Sequence, residues 1–462
     1  MAVQCNAKTK RLALAASIAA IFGAGAAPVL AVDLEDIVDK LREKGVLTEE
    51  EYQEMRSEVR AEKRKMALES AQEAAEAEKR KDEARVTFKD GFTLESGDKQ
   101  HSLGLTGRIH ADFRSYSPSD ARASDFDIRR ARIGLKGKVY GTTTFEVIGE
   151  FAGTPALDVA YINYGAIRNA ELRVGQFKMP YNLESLISSN SIDFQERSFS
   201  STLFPGKERG LMVHGAPLTG FTYALAVSNG EGQNGAESNT APIVDDKDYM
   251  GRLTVNVPEM IGIQDVVGHL GVAYTTTTMK AGNLTGGWRT EGRGSTFFSP
   301  GASGGTEFDR ERTGLEAALA VGPFKLQSEW MKAEFDTLAG SRDIDTYYVY
   351  GVWAITGESY ASTYRNGVFG GIKPNKPYGK DGGLGAWTVG LRYSKLDASD
   401  FASTATSTNE ADAVTLGLNW HPGSMTRFML NYVKTDFDTP ITINGAPRND
   451  EKAITLRAQL AF

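Results

Sequence analysis

A transmembrane β-barrel with a helical N-terminal arm is the fold class this sequence predicts, and three observations carry it. From Val86 to the last residue, short runs alternate apolar and polar side chains with a period of two. The connections between those runs alternate between tight turns and long polar loops. After residue 31 there is no apolar stretch of about 18 or more residues. That excludes a helical membrane protein, since crossing about 30 Å as a helix takes about 20 apolar residues. Lipid leaves unpaired backbone groups unsatisfied, so a closed barrel is the remaining way to span a membrane.

Residues 1–31 stand apart from any fold. Lys8, Lys10 and Arg11 precede the apolar stretch Leu12 to Ala27, and Val29-Leu30-Ala31 supplies a small-x-small ending, the pattern of a cleaved secretory signal peptide. Cys5, the single cysteine, lies ahead of that apolar core and leaves with it. The mature chain then has no thiol for disulfides, thiolate metal sites or nucleophiles. Removing the three basic residues takes the formal charge from −7 to −10, which argues against a nucleic-acid partner.

Residues 32–85 carry apolar side chains at helical spacing (Leu34, Ile37, Leu41, then Tyr52, Met55, Val59) in a charge-dense, proline-free segment. Gly45 interrupts it, and Thr48 with Glu51 forms a capping box that restarts a helix. The reading is a helical hairpin running into a long polar helix. Its weak heptad positions (Ala61, Met66, Ala71, Ala75) favour an oligomer-dependent coiled coil, the alternative being a solvated charged linker.

From 86 to 462 the alternating runs include Leu103, Leu105, Ile109, Phe113; Ala131, Ile133, Leu135, Val139; Phe145, Val147, Phe151; Tyr249, Leu253, Val255; Val414, Leu416, Leu418, Trp420; and Ile454, Leu456, Leu460, Phe462. A soluble sandwich strand alternates in the same way, so the rhythm of connections decides. About sixteen strands of roughly 9 to 14 residues are joined by tight turns (Gly141-Thr142, Pro217 to Gly220, Gly322-Pro323, Pro422 to Met425) and long loops (179–208, 230–247, 277–309, 398–410, 438–450). Residues 357–384 break the rhythm: they form a long connection on the short-turn side, which implies an inward or periplasmic excursion or a missed hairpin. The last strand ends on Phe462, which resembles the C-terminal signal read by the barrel-assembly machinery.

Several motifs resemble the phosphate-selective porin O and P family. They are Phe126-Asp127-Ile128-Arg129-Arg130-Ala131-Arg132-Ile133-Gly134-Leu135-Lys136-Gly137; Leu172-Arg173-Val174-Gly175-Gln176-Phe177-Lys178-Met179-Pro180 with Leu183-Glu184 and Ser188-Ser189; Phe194-Gln195-Glu196-Arg197; Thr356-Gly357-Glu358; and Gly385-Ala386-Trp387 leading to Arg392-Tyr393. The resemblance covers about residues 88–462. It implies a sixteen-stranded barrel, assembly as a homotrimer in outer-membrane lipid and lipopolysaccharide, and a third loop folded inward as the constriction.

Strand phase says what faces the pore, because successive side chains point to opposite faces. With the apolar set toward lipid, Arg108, Arg114, Arg130, Arg132, Lys136, Lys138, Arg173, Arg252, Arg312, Arg392 and Arg457 face the lumen. Inward acids are fewer: Asp112, Glu146, Glu150, Glu316 and Glu329. A net basic lumen favours anions, and arginine offers an oxyanion a planar fork of donors; pairing of these arginines with carboxylates across the wall is the competing reading. In the third loop Lys178, Arg197, Lys207 and Arg209 are candidates for the constriction, opposed by Glu184, Asp193, Glu196 and Glu208.

No motif supports catalysis, a cofactor or a metal. His101, His110, His214, His269 and His421 are scattered, and His421 is expected in an exposed tight turn. The function expected is passive passage of small solutes, anions such as phosphate foremost, through the outer membrane of a Gram-negative bacterium, with the arm in the periplasm. The alternatives are a porin with weak charge preference and a tether that grips peptidoglycan or a periplasmic partner through residues 33–85.

Overall fold

The computed structural model describes residues 34–80, 83–88, 91–118, 122–235, 247–282, 284–305 and 307–462, so the signal peptide expected over 1–31 lies outside the described residues. The chain divides into two compact units, one ending at Asp82 and the other beginning at Glu83.

In the first unit, α1 (Leu34–Glu43) and α2 (Glu49–Arg80) form a hairpin. Gly45 takes a left-handed φ of 69° at the turn, a conformation that suits glycine. The capping box forms as the sequence predicts: Thr48 N–H donates to Glu51 Oε2 at 3.0 Å, and Glu51 N–H donates to Thr48 Oγ1 at 3.3 Å. Val38 and Tyr52 are buried between the helices, and the Tyr52 hydroxyl donates to Asp39 Oδ1 at 2.7 Å. Farther along α2, Met66 and Leu68 are exposed.

The second unit is an 18-stranded sheet and two small ribbons. A hairpin of β1 (Ala84–Thr87) and β2 (Phe92–Ser96) precedes β3 (Ser102–Ser117), β4 (Asp125–Val139), β5 (Thr143–Glu150), β6 (Ala156–Ile167) and β7 (Ala170–Lys178). Then come β8 (Lys207–Leu218), β9 (Phe221–Ser228), β10 (Asp248–Asn256), β11 (Val266–Met279) and the ribbon β12 (Trp288–Arg289) with β13 (Thr296–Phe298). β14 (Phe308–Val321), β15 (Phe324–Thr337) and β16 (Gly340–Ala354) lead to a second ribbon, β17 (Tyr364–Arg365) with β18 (Val368–Phe369). The wall finishes with β19 (Ala386–Asp397), β20 (Glu410–His421), β21 (Thr426–Ile443) and β22 (Ala446–Ala461).

Sixteen antiparallel strands close into a barrel when β22 pairs back onto β3, from Lys452 opposite Ser117 to Ala461 opposite Arg108. Closure removes the edges that lipid would leave unpaired. Alternation fixes the faces. Ile133, Leu135, Val147, Leu315, Leu391 and Leu456 are exposed on the outside, and polar side chains turn in. Stacked aromatics mark the outer face near the short turns: Trp387 and Phe428 each lie 5.6 Å from Trp420, and Phe324 lies 5.9 Å from Trp353. Such a belt suits the boundary of lipid and water.

The seam where the ends meet is tightly built. Phe462 exchanges backbone hydrogen bonds with Gly107 at 2.9 and 3.0 Å, and a Cβ at Gly107 would stand 2.6 Å from the Phe462 ring. A larger residue at 107 would push the Phe462 ring off β3. β2 then pairs with the free remainder of that β3 edge, Phe92 opposite Leu105 through Glu95 opposite Ser102.

Two expectations need correction. Residues 438–450 are not a polar loop: β21 and β22 run on past a register shift between Asp436 and Ile441 and meet at a tight turn with Asn444 and Gly445 at positive φ. His421 is not in an exposed turn; it is the last residue of β20 and is buried on the inner face. The irregular connection between β16 and β19 is the inward excursion of the alternatives offered: Tyr360, Tyr364, Phe369 and Ile372 are buried in one cluster with third-loop and wall residues.

Candidate functional site

Three segments enter the lumen, and they fill one side of it. The third loop, 179–206, is nearly all buried: Tyr181, Leu183, Ile187, Phe194, Phe199 and Leu203 are each at most 2% exposed. Its backbone is anchored to distant wall strands. Leu183 and Glu184 N–H donate to Glu329, Arg457 Nη1 donates to Gln195 O at 2.6 Å, and Arg427 Nη1 donates to Ile192 O at 2.7 Å. The loop between β11 and β14 adds Trp288, Phe297 and Phe298 to an aromatic core, and the β16–β19 connection packs beside it from the short-turn end.

On the opposite side a cavity of about 730 Å³ is left along the inner face of β3 to β10. Its lining includes nine cationic side chains (Arg108, Arg130, Arg132, Arg173, Lys178, Arg197, Lys207, Arg252, Arg365) against three carboxylates, Glu146, Asp158 and Glu171. Cationic side chains thus outnumber carboxylates in the lining.

How each cation is held differs. Arg108 Nη1 donates to Ser189 Oγ at 2.8 Å, and Arg130 Nη1 lies 3.4 Å from His110 Nδ1. The Arg173 guanidinium lies 4.5 Å from the Tyr161 ring centre and donates to Asn163 Oδ1 at 3.2 Å. Lys178 donates to the carbonyls of Ser185, Leu186 and Ile187, and Arg197 to those of Glu184 and Ile187, so both brace the third loop by its own backbone. Arg365 donates to Tyr364 O at 2.9 Å. Among the described residues, none of these six meets a carboxylate at ion-pair distance.

The remaining three do. Arg132 pairs with Glu150 at 2.6 Å and Asp158 at 2.8 Å, Lys207 pairs with Asp158, and Arg252 forms a two-point pair with Glu316 at 2.6 and 2.7 Å.

Other predicted lumen residues face inward but lie in the filled side. Arg312 pairs with Asp248; Arg392 with Glu291 at 2.6 Å and Glu184 at 3.4 Å; Arg457 with Asp112 at 2.7 Å and Glu196 at 2.9 Å. Lys136 and Lys138 stand near the β4–β5 turn, Lys136 opposite Glu146, and neither lines the cavity. Arg209 is exposed, on the same face of β8 as the outward Leu211.

Arg129 is the notable omission from sequence reasoning. Simple alternation turns it toward lipid. A bulge in β4 opposite His110 and Ala111 instead brings both Arg129 and Arg130 inside, and Arg129 grips Glu196 at 2.9 and 3.2 Å. The signal was present: outward apolar residues fall on even numbers at Phe126 and Ile128 and on odd numbers at Ala131 and Ile133. Four guanidiniums, those of Arg129, Arg457, Arg114 and Arg293, lie within 4.0 Å of the Glu196 carboxylate. Burial raises that carboxyl, but Arg129, Arg457 and Arg130 outweigh burial and hold it well below the usual carboxylate range. Glu291 and Asp158 were also missed: Glu291 lies in a loop, which has no strand phase to place it, and Asp158 lies near the start of β6, a strand not read for phase.

The phosphate-selective porin O and P family model matches residues 103–462. Porin O of Pseudomonas aeruginosa is 26% identical over 416 residues, covering 82% of this chain and 92% of that protein. Among solved structures, the anion-selective porin from Comamonas acidovorans superposes with a TM-score of 0.50 at 15% identity, covering 78% of this chain and 100% of that one. The outer-membrane protein OmpT of Vibrio cholerae superposes with a TM-score of 0.48 at 13% identity, over 79% of this chain and 98% of that one.

Proposed function

The chain belongs to the phosphate-selective porin O and P family of outer-membrane channels, and from that premise we propose that it passes small anions through the cavity between the β3–β10 wall and the third loop. The observation that carries this reading is the excess of lining cations, six of them without a carboxylate partner among the described residues. Such groups lower the barrier for an anion and raise it for a cation. Arginine keeps its charge at any working pH and presents paired donors to an oxyanion. The description of the family, phosphate-selective, and the name of the Comamonas porin, anion-selective, agree with it.

For the rest of the chain we propose a signal peptide over 1–31, a periplasmic arm over 32–85 and assembly as a homotrimer. The exposed Met66 and Leu68 of α2 support an arm that pairs with copies of itself or a periplasmic partner such as peptidoglycan. Phe462, seated on Gly107 at the closing seam, is the residue proposed to guide the barrel-assembly machinery.

The deciding experiment is the reversal potential of the purified channel in a planar bilayer across gradients of potassium chloride and potassium phosphate. Chloride and phosphate are expected to outrun potassium. A reversal potential of the cation-preferring sign overturns the reading, and one near zero leaves a porin without charge preference.

A further inference from the structure

The cationic cavity has a second kind of lining. Ile148 and Val159, register partners across β5 and β6, face into it beside Tyr161, and Leu186, Phe204 and Val368 reach it from the third loop and from β18. Apolar surface does nothing for a bare inorganic oxyanion, which loses water hydrogen bonds wherever it touches carbon. It does favour an anion that carries a hydrocarbon body, because that body leaves water as the charged end meets its donors. The cavity volume falls within the range of about 300–1,000 Å³ typical of sites for organic ligands.

The donors are placed for a charged end. Arg130 is only 6% exposed, and its Nε is buried without a hydrogen-bond partner. Among the described residues its guanidinium makes one hydrogen-bond contact, the long one of Nη1 with His110. The guanidinium lines the cavity and meets no carboxylate at ion-pair distance among the described residues, which leaves its charge to a solute there. Arg108 stands beside it on the neighbouring strand, opposite Arg132 in register, with a serine hydroxyl as its partner. The Arg173 guanidinium lies over the Tyr161 ring, 4.5 Å from its centre, and meets no carboxylate at ion-pair distance among the described residues.

We propose that this cavity is a selective subsite for organic anions, monocarboxylates with an aromatic or branched aliphatic body, in preference to inorganic phosphate. Arg130 and Arg108 hold the charged end, and the Ile148, Val159, Tyr161 and Val368 surface takes the body. The proposal rests on the anion-channel reading and narrows it to a substrate class.

The test is block of chloride current through the full-length channel in a bilayer by benzoate, acetate and inorganic phosphate, with the reversal potential recorded on the same channels. Benzoate is expected to half-block at a concentration about tenfold below those of acetate and phosphate. The double variant Val159→Thr with Val368→Thr, which keeps shape and adds hydroxyls, is expected to bring the benzoate-to-acetate ratio to within about threefold. Val368→Thr alone gives a smaller shift in the same direction and serves where the double variant fails to insert. Phosphate or acetate blocking at or below the benzoate concentration, on a channel that still prefers chloride, overturns the organic-anion proposal alone. A ratio that the variants leave unmoved overturns it as well. Loss of chloride preference in the unaltered channel overturns the anion reading and this proposal together.

Discussion

The two sides of the barrel lumen are built from the same residue type used in opposite ways. Along β3 to β10, arginines and lysines line open space and are held mostly by hydroxyls, carbonyls and an aromatic face. Along β11 to β22 most inward cations are buried under the loops and matched to carboxylates: Arg312 to Asp248, Lys325 to Asp193, Arg392 to Glu291, Arg457 to Asp112; Arg427 instead donates to Ile192 O and Gln459. Inward orientation is common to both sides; the cations that meet no carboxylate among the described residues lie mostly on one. A cation deep in a dry wall is costly unless paired, so the filled side spends its arginines on anchoring loops, and the open side can leave them to water and solute.

The largest break in this comparison should come from the filled side. Replacing Arg392 by leucine strands the Glu291 carboxylate, which is then left with Thr415, at 2.9 Å, and Ser394. Removing one partner of a buried pair costs about 3–5 kcal/mol. Arg108→Leu on the open side removes a bond to a serine hydroxyl and should cost about 1 kcal/mol. Guanidinium unfolding in detergent micelles compares them, and equal losses would show that the two sides are not energetically distinct.

A second test uses two neighbours on one strand. Replacing Arg130 and Arg132 together by glutamate should turn ion preference toward cations. At about 7 Å and an effective dielectric near 20, each unit charge acts on a passing ion by about 2 kcal/mol. The components should differ. Arg130→Glu alone should move the reversal potential at a smaller cost in stability, since Arg130 meets no carboxylate at ion-pair distance among the described residues, whereas Arg132→Glu sets a third carboxylate beside Glu150 and Asp158 and should lower stability more. If both single variants unfold alike, Arg130 is structural and the open-side description fails.

What the sequence made legible follows the same line. Period-two alternation located the barrel and the lumen-facing arginines, because a strand's side-chain direction is set locally. The capping box at Thr48 and the inward excursion near 357–384 were legible for the same reason, the first as a local motif and the second as a break in rhythm. Pairing was not. Glu291 and Arg392 are about a hundred residues apart, and a loop carboxylate carries no phase to say where it lands. Arg129 shows the intermediate case: a single bulge reversed its direction, and only the parity switch from Ile128 to Ala131 betrays it.

The smallest effect should come from Lys136 and Lys138. Alternation assigns them the same lumenal status as Arg130 and Arg132, yet they stand past the cavity, near the β4–β5 turn. Lys136 faces Glu146 across the ladder and is exposed, so solvent and salt already screen it. At 0.1 M salt, exposed charges lose most of their influence beyond about 10 Å. Replacing both by glutamine should therefore leave the reversal potential in 0.1 M potassium chloride almost where it was, with a small shift appearing only as salt is lowered toward 0.01 M. A shift at 0.1 M as large as that of Arg130→Glu would mean that the short-turn mouth, and not the third-loop cavity, sets the preference, and the contrast between the two sides of the lumen would no longer explain selectivity.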